Sequence, residues 1–318
     1  MKRFGRARDL SRLRRAAWVA LDFGYRGGWP AALARRFLLH GRIAVRTHEF
    51  RINRWGRGRP LRIVFASDFH AGPVTHPELL NEASRAIAGG KPDLLLLGGD
   101  FISPHARYVD GLADRLRQID APLGKFAVLG NHDLYADDEY IVERLASAGV
   151  RTLNNESVRL APPFDGIFLC GLDDPTVGSP DGVAALRDAD GVRIVLMHSP
   201  EGLLSLAGHD FDVAFCGHTH GGQVAFPGGR PVWMPGGPLN RLYAHGVHQL
   251  RDHGDATLLV SRGIGCSGVP VRLFARPEVH VCTVLPAVVA GEMPEAAADT
   301  IVERARPSAA ARPMGDAA

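Results

Sequence analysis

Leu61-Arg62-Ile63-Val64-Phe65-Ala66-Ser67-Asp68-Phe69-His70 is an apolar, partly β-branched run that ends abruptly in a serine, a carboxylate and an imidazole. Short apolar runs bounded by polar or turn residues read as buried strands. The pattern recurs four times: Leu94–Leu97 runs into Gly98-Gly99-Asp100, 126–129 into Gly130-Asn131-His132-Asp133, 193–197 into His198, and 212–216 into Gly217-His218-Thr219-His220. Helical stretches separate these runs, so from about residue 43 the chain reads as an α/β body. In open α/β sheets, ligands bind just outside the carboxyl ends of the strands. Five loops are therefore expected to converge on one site.

Those loops carry Asp68, His70, Asp100, Asn131, His198, His218 and His220. The mixture suits a pair of divalent cations. Two ions about 3.5 to 4 Å apart repel, so a carboxylate must bridge them while neutral imidazoles complete their shells. If the Asp68-Phe69-His70 segment is extended, alternation places both polar side chains on one side, and the same holds for His218 and His220. Gly98, Gly99, Gly130 and Gly217 precede the polar residues and permit tight turns and close approach of a phosphate. Singly, each piece has a plainer reading, since a strand-end Asp caps helices and an apolar-flanked His such as His198 hydrogen-bonds within cores. Five in order, all at strand ends, point to one site.

Together, Asp68-Phe69-His70, Gly98-Gly99-Asp100, Gly130-Asn131-His132-Asp133, His198 and Gly217-His218-Thr219-His220 resemble the calcineurin-like metallophosphoesterase superfamily. Gly221-Gly222-Gln223, Ser261-Arg262-Gly263-Ile264-Gly265, Pro270-Val271-Arg272 and Pro277-Glu278 are similar to its bacterial membrane- or envelope-associated phosphodiesterase subgroup, and the likeness covers about residues 43–285. It implies a four-layer αββα sandwich, two mixed sheets flanked by helices, with ligands on loops at strand carboxyl ends. It further implies Asp68, His70, Asp100 and His220 around one ion, and Asp100, Asn131, His198 and His218 around the other. Manganese is the first choice, with iron or zinc as alternatives. His132 would act as general acid or stabilise the leaving oxygen, and Asp133, where many relatives carry Glu, would orient that imidazole. The implied reaction is hydrolysis of a phosphodiester or pyrophosphate by a hydroxide held between the metals. The chain contains neither a G-x-S-x-G elbow nor a P-loop, which argues against serine-hydrolase and kinase chemistry.

With 46% hydrophobic and 22% charged residues, the 318-residue chain is excluded from collagen-like, coiled-coil and wholly disordered classes. Cys170, Cys216, Cys266 and Cys282 sit in apolar runs without a C-x-x-C pair, as buried free thiols of a reducing, cytoplasmic compartment do. Residues 1–60 hold 16 Lys and Arg against three acids, whereas the net charge of the whole chain is only +3, so the remainder is acidic. Three regions follow: a basic amphipathic arm (1–45), the metallophosphoesterase body (46–286) and a disordered, Ala/Glu/Pro-rich tail (287–318). The arm reads as helices at 12–25 and 31–40 around Gly27-Gly28-Trp29-Pro30, its aromatics interleaved with arginines. Such an arm lies on an anionic membrane, here the inner face, or packs on its own body as a lid. Nucleic acid is the alternative partner. No apolar stretch is long enough to span a bilayer, and Arg14-Arg15 offers twin-arginine export as a second localisation.

The sharpest substrate consistent with this picture is a UDP-diacylglucosamine-type pyrophosphate of lipid A synthesis. The alternatives are a nuclease or cyclic-nucleotide phosphodiesterase, and a non-catalytic peripheral binding protein. The last predicts missing ligands, and all are present. The oligomeric state is left open. His105 and His245 read first as surface or supporting residues, with the border of the cleft as the alternative, and Arg272 is expected either to bind substrate phosphate or to pair with Glu278.

Overall fold

The computed structural model describes residues 12–56 and 58–287. The expected tail beyond residue 287 and the first 11 residues of the arm lie outside the described residues. In chain order the strands are β1 (Ala44–Ile52), β2 (Leu61–Ala66), β3 (Leu94–Leu97), β4 (Lys125–Ala127), β5 (Val150–Thr152), β6 (Glu156–Arg159), β7 (Ile167–Gly171), β8 (Val192–Leu196), β9 (Val213–Cys216), β10 (Gly246–Leu250), β11 (Ala256–Val260) and β12 (Glu278–Pro286). The α-helices are α1 (Arg12–Gly24), α2 (Trp29–Arg36), α3 (Pro77–Gly89), α4 (Val109–Arg117), α5 (Asn131–Tyr135), α6 (Asp138–Ser147), α7 (Gly182–Leu186) and α8 (Pro238–Leu242).

The strands form two six-stranded sheets, ordered β1-β12-β2-β3-β4-β5 and β10-β11-β9-β8-β7-β6. Each is mixed: β2 to β5 and β7, β8, β9 and β11 run parallel, while β12 against β2, β10 against β11 and β6 against β7 are antiparallel. Three buried apolar clusters separate the layers. One, with Phe65, Leu96, Ile194 and Phe215, fills the space between the sheets. A second packs Leu79, Leu112 and Ile141 of α3, α4 and α6 on the outside of the first sheet. The third covers the second sheet with Leu186, Leu203 and Leu206. The result is the expected αββα sandwich. Helix α3 shows how local sequence fits it: Pro77 suits the first turn, His76 Nδ1 accepts the Glu78 N–H at 3.1 Å, and Leu79, Leu80, Ala83 and Ile87 form one buried stripe.

The arm's second helix starts at Trp29, two residues before the expected 31, because Pro30 has a φ suited to a first helical turn and cannot break it there. Its inner side packs on the body: Ala31 and Ala34 are buried and Arg35 donates to Glu82 at 2.6 Å, while Asp22 of α1 accepts from Tyr108 at 3.2 Å. No helix among the described residues is long and apolar enough to cross a membrane. All four cysteines are buried, unpaired thiols.

Candidate metal centre

The loops leaving β2 and β3 run side by side. Asp68 N–H donates to Gly99 O at 2.9 Å, His70 N–H to Asp100 O at 3.0 Å and Ala71 N–H to Phe101 O at 2.9 Å. On the second sheet, Gly217 N–H donates to His198 O at 2.9 Å. Within these loops Asp68, His70, Asp100, His218 and His220 all have positive φ, between 42° and 69°. Non-glycine residues avoid that region unless the surroundings hold them there. The expectation of an extended segment with alternating side chains is therefore corrected: left-handed backbone, tied to the neighbouring loop, turns Asp68 and His70 toward one place, and His218 and His220 likewise. Close packing also dictates a glycine. A Cβ on Gly217 would lie 2.1 Å from Asp68 Oδ2.

All seven expected residues meet. The ligand-type atoms of six of them, with His132, form three overlapping groups: Asp68, His70 and His220; His70, Asp100 and His132; and Asp100, His198 and His218. His70 Nε2 and His220 Nε2 are 3.0 Å apart, and His220 Nε2 is 3.6 Å from Asp68 Oδ1. In the other group, His198 Nε2 faces His218 Nδ1 at 3.1 Å, Asn131 Oδ1 at 3.3 Å and Asp100 Oδ2 at 3.4 Å. Atoms bound to one cation at about 2.0 to 2.2 Å lie roughly 3.0 to 3.6 Å from each other around a tetrahedron or octahedron, and these spacings match. His198 Nδ1–H donates to Gly98 O at 2.8 Å, which leaves the Nε2 lone pair aimed at the same point as the others. Metal-binding histidines are oriented in this way. Asp100 belongs to both sides, with Oδ2 also 3.5 Å from His70 Nε2.

Electrostatics agrees. Burial holds His70 and His220 well below the ordinary histidine range and lowers His218 to about 3, so their rings are neutral donors. Burial opposes a charge on His198, yet Asp100, with Asp174 and Asp68 behind it, raises it well above the usual histidine range, so a cation binding at this point takes the place of the Nε2 proton. The centre thus attracts positive charge where the lone pairs converge. The residues fit divalent cations in donor type, spacing and charge.

Asp133 takes a different place from the one expected. Its two oxygens accept Phe101 N–H and Gly130 N–H, each at 2.9 Å, so it clamps the β3 loop to the start of α5. Burial, reinforced by Asp100, pushes it up to about 8. His132 stands at the cleft, its ring edge-on to His70 with centroids 4.7 Å apart, and its N–H donates to Asp100 Oδ1 at 2.8 Å. The cleft above the centre encloses about 820 Å³, and its lining includes Asp100, Asn131, His132, His218 and His220 together with the apolar Val224, Val232, Trp233 and Val269. His105 and His245 do not line it. His105 pairs with Asp22 of the arm at 3.3 Å, and His245 lies against Arg262. Arg272 neither opens to the cleft nor pairs with Glu278. It is buried, donating to Gly265 O at 2.8 Å, Ala275 O at 3.1 Å and His220 Nδ1 at 2.9 Å. Glu278 pairs instead with Arg262 at 3.2 Å, His280 at 3.3 Å and Arg46 at 3.6 Å. Asp174 escaped the sequence reading. It is buried after β7, and burial raises it to about 6 beside His198. The signal was available, because Asp173-Asp174 ends an apolar run just as Asp100 does.

Residues 61–222 match the family described as calcineurin-like phosphoesterase. The chain is 32% identical over 228 residues to the metallophosphoesterase YkuE of Bacillus subtilis (strain 168), covering 70% of this chain and 78% of that protein. A metallophosphoesterase of Aquifex aeolicus (strain VF5) is 30% identical over 251 residues, covering 76% and 92%. The phosphodiesterase YaeI of Escherichia coli (strain K12) is 32% identical over 225 residues, covering 69% and 80%. With half its length matched by that family and a cation-fitting centre at the matched motifs, the chain belongs to the calcineurin-like phosphoesterases and is a metal-dependent phosphoric ester hydrolase.

Proposed function

We propose that this hydrolase cleaves a phosphodiester or pyrophosphate, with residues 46–286 as the catalytic body. Asp68, His70, Asp100 and His220 would hold one divalent ion, and Asp100, Asn131, His198 and His218 a second. The observation that carries this reading is the double membership of Asp100, whose carboxylate lies within ligand spacing of His70 on one side and His198 on the other. When bound, such ions make water a competent nucleophile near neutral pH and offset charge on the phosphoryl oxygens. The nitrogen and oxygen donors, without a thiolate, suit manganese, iron or zinc, and the family resemblance puts manganese first. His132 has its backbone anchored on Asp100 and its ring at the cleft. It would donate a proton to the leaving oxygen. Asp133 would serve catalysis indirectly, by fixing the loop that carries Asn131 and His132.

For the substrate, we favour a phosphodiester or pyrophosphate within a lipid precursor, of the UDP-diacylglucosamine type. The support is the apolar Val224, Val232, Trp233 and Val269 among the residues lining the cleft; on this reading the basic arm, residues 1–45, would hold a cytoplasmic enzyme at the inner membrane face. The test is metal analysis of the purified full chain together with turnover of an aryl phosphodiester, a diacylated sugar-nucleotide pyrophosphate and cyclic nucleotides. About two ions per chain and preference for the lipid pyrophosphate are expected, in line with paired-ion hydrolases. Activity on aryl diesters or cyclic nucleotides alone would overturn the lipid substrate, and absence of bound metal would overturn the ligand assignment.

A further inference from the structure

Among the described residues, large apolar side chains left in water include Val183 and Leu204 over the second sheet and, elsewhere, two larger groups. One is the outer side of the arm, with Phe23, Trp29, Phe37 and Leu38 between 58% and 74% exposed. The other is a ribbon beside the cleft, with Phe226, Trp233 and Phe274 between 56% and 70% exposed. Backbone hydrogen bonds join the two. Arg272 N–H donates to Leu39 O at 2.7 Å, Leu273 N–H to Gln223 O at 3.1 Å, Ala225 N–H to Leu273 O at 2.8 Å and Val232 N–H to Val224 O at 2.9 Å. The arm's end is thus continuous with the strands whose Val224 and Trp233 wall the cleft. Along the ribbon Ala225 turns inward and Phe226 outward, as strand alternation requires.

Two further features set this face apart. Leu38 and Phe274, flanking the Leu39–Arg272 bond, are both exposed and both left-handed, with φ of 57° and 54°. Bulky side chains disfavour that backbone, and water rewards neither of them, so a solvent-facing glycine would serve better at both positions. Charge is one-sided as well. Residues 23–48, 221–250 and 256–277 contain no Asp or Glu, while Arg36, Arg42, Arg230 and Arg276 are exposed along them. Apolar side chains collared by arginines, on segments without Asp or Glu, match the boundary between anionic headgroups and acyl chains. A nucleic acid would use the arginines and leave the leucine and phenylalanines unexplained.

We propose that this face docks on a bilayer containing anionic lipids, with Phe37, Leu38 and Phe274 entering the headgroup boundary. The cleft mouth then opens beside the membrane surface, and phosphoesters reach the centre from the bilayer. The docking face stands on the exposed surface alone, whereas its service to substrate capture rests on the catalytic reading of the cleft. The test uses the full chain in co-sedimentation with phosphatidylglycerol–phosphatidylcholine vesicles and with phosphatidylcholine alone, alongside turnover of a soluble aryl phosphodiester. Binding to the anionic vesicles, weakened by salt, is expected. The Leu38→Gly/Phe274→Gly double variant should bind about tenfold more weakly, with undiminished melting temperature and unchanged soluble turnover. Phe226→Ser, elsewhere on the ribbon, should also weaken binding and serves if the double variant fails to fold. Equal binding of both variants and the parent chain, no vesicle binding, or DNA retention that vesicles do not compete would each overturn the docking face. Vesicle binding without diester hydrolysis would support it while refuting the catalytic reading.

Discussion

Replacing Gly217 by Ala introduces a single methyl group where the centre has no room. The new Cβ would lie 2.1 Å from Asp68 Oδ2 and 2.3 Å from Ser67 Oγ. A Cβ essentially never comes within 3.0 Å of such an atom, so the carboxylate must retreat by about 0.9 Å against steep repulsion. It has little freedom to do so. Its oxygens accept His218 N–H at 3.0 and 3.1 Å, and Asp68 O accepts Gly265 N–H at 2.7 Å. Overpacking of this kind costs about 1 to 3 kcal/mol of stability. The larger effect falls on function, because a displaced donor group loses metal affinity by at least roughly 10- to 100-fold, and a 1 Å misplacement slows chemistry by about 10²-fold, or some 2.7 kcal/mol. Calorimetric titration with Mn²⁺ and kcat/KM on a soluble aryl phosphodiester would read both. Gly89→Ala is the control, since its Cβ meets nothing within 4 Å. Should Gly217→Ala bind metal and turn over like the parent chain, Asp68 is not a ligand in the sense argued here.

Asp100→Ala is expected to lose bound metal and nearly all turnover while the chain stays folded by circular dichroism; retained metal would refute its shared role. His132→Ala should keep metal and slow turnover by roughly 10² to 10⁴, and normal turnover would remove it from the mechanism. Chelation should abolish activity and lower the melting temperature, with divalent ions restoring both, as ligands that bind only the native state do; a melting temperature indifferent to chelator would count against the shared centre. Buried His40 is lowered to about 4, first by burial and then by the charges of His76, Arg272 and Arg35. Because the unfolded chain takes up that proton near 6.5, stability is full above pH 6.5 and falls as pH drops toward 4. His40→Met should flatten that fall in denaturant melts, and an unchanged slope would refute it.

Five strand-to-loop junctions are legible in the sequence because each apolar run stops at a polar residue that has no business in a core. β1 and β12 are not legible in that way. They pair in parallel from Ala44 against Glu278, and no local pattern announces a partner so far along the chain. β6 and β10 have mixed burial and polar residues at a sheet edge, which blurs their periodicity. At the site, residue types were readable and backbone was not. Left-handed φ at Asp68 and His70 is imposed by the adjoining loop from β3, a tertiary effect that overrides alternation. The same distance from local sequence hides Arg272, whose partners Gly265 and His220 are chosen by folding.

The seven residues are split between the sandwich's halves: Asp68, His70, Asp100 and Asn131 follow strands of the first sheet, and His198, His218 and His220 follow strands of the second. Hydrogen bonds between the loops, such as His198 Nδ1–H to Gly98 O, fix the halves at the site, and behind it they are aligned by hydrocarbon, such as the Phe65 and Phe215 rings 5.3 Å apart at the seam. Sliding one sheet by a fraction of a residue would misalign every donor at once. Trimming a ring in that filling should therefore alter turnover without touching a single polar group, and the grease of the interior acts as the gauge of the chemistry.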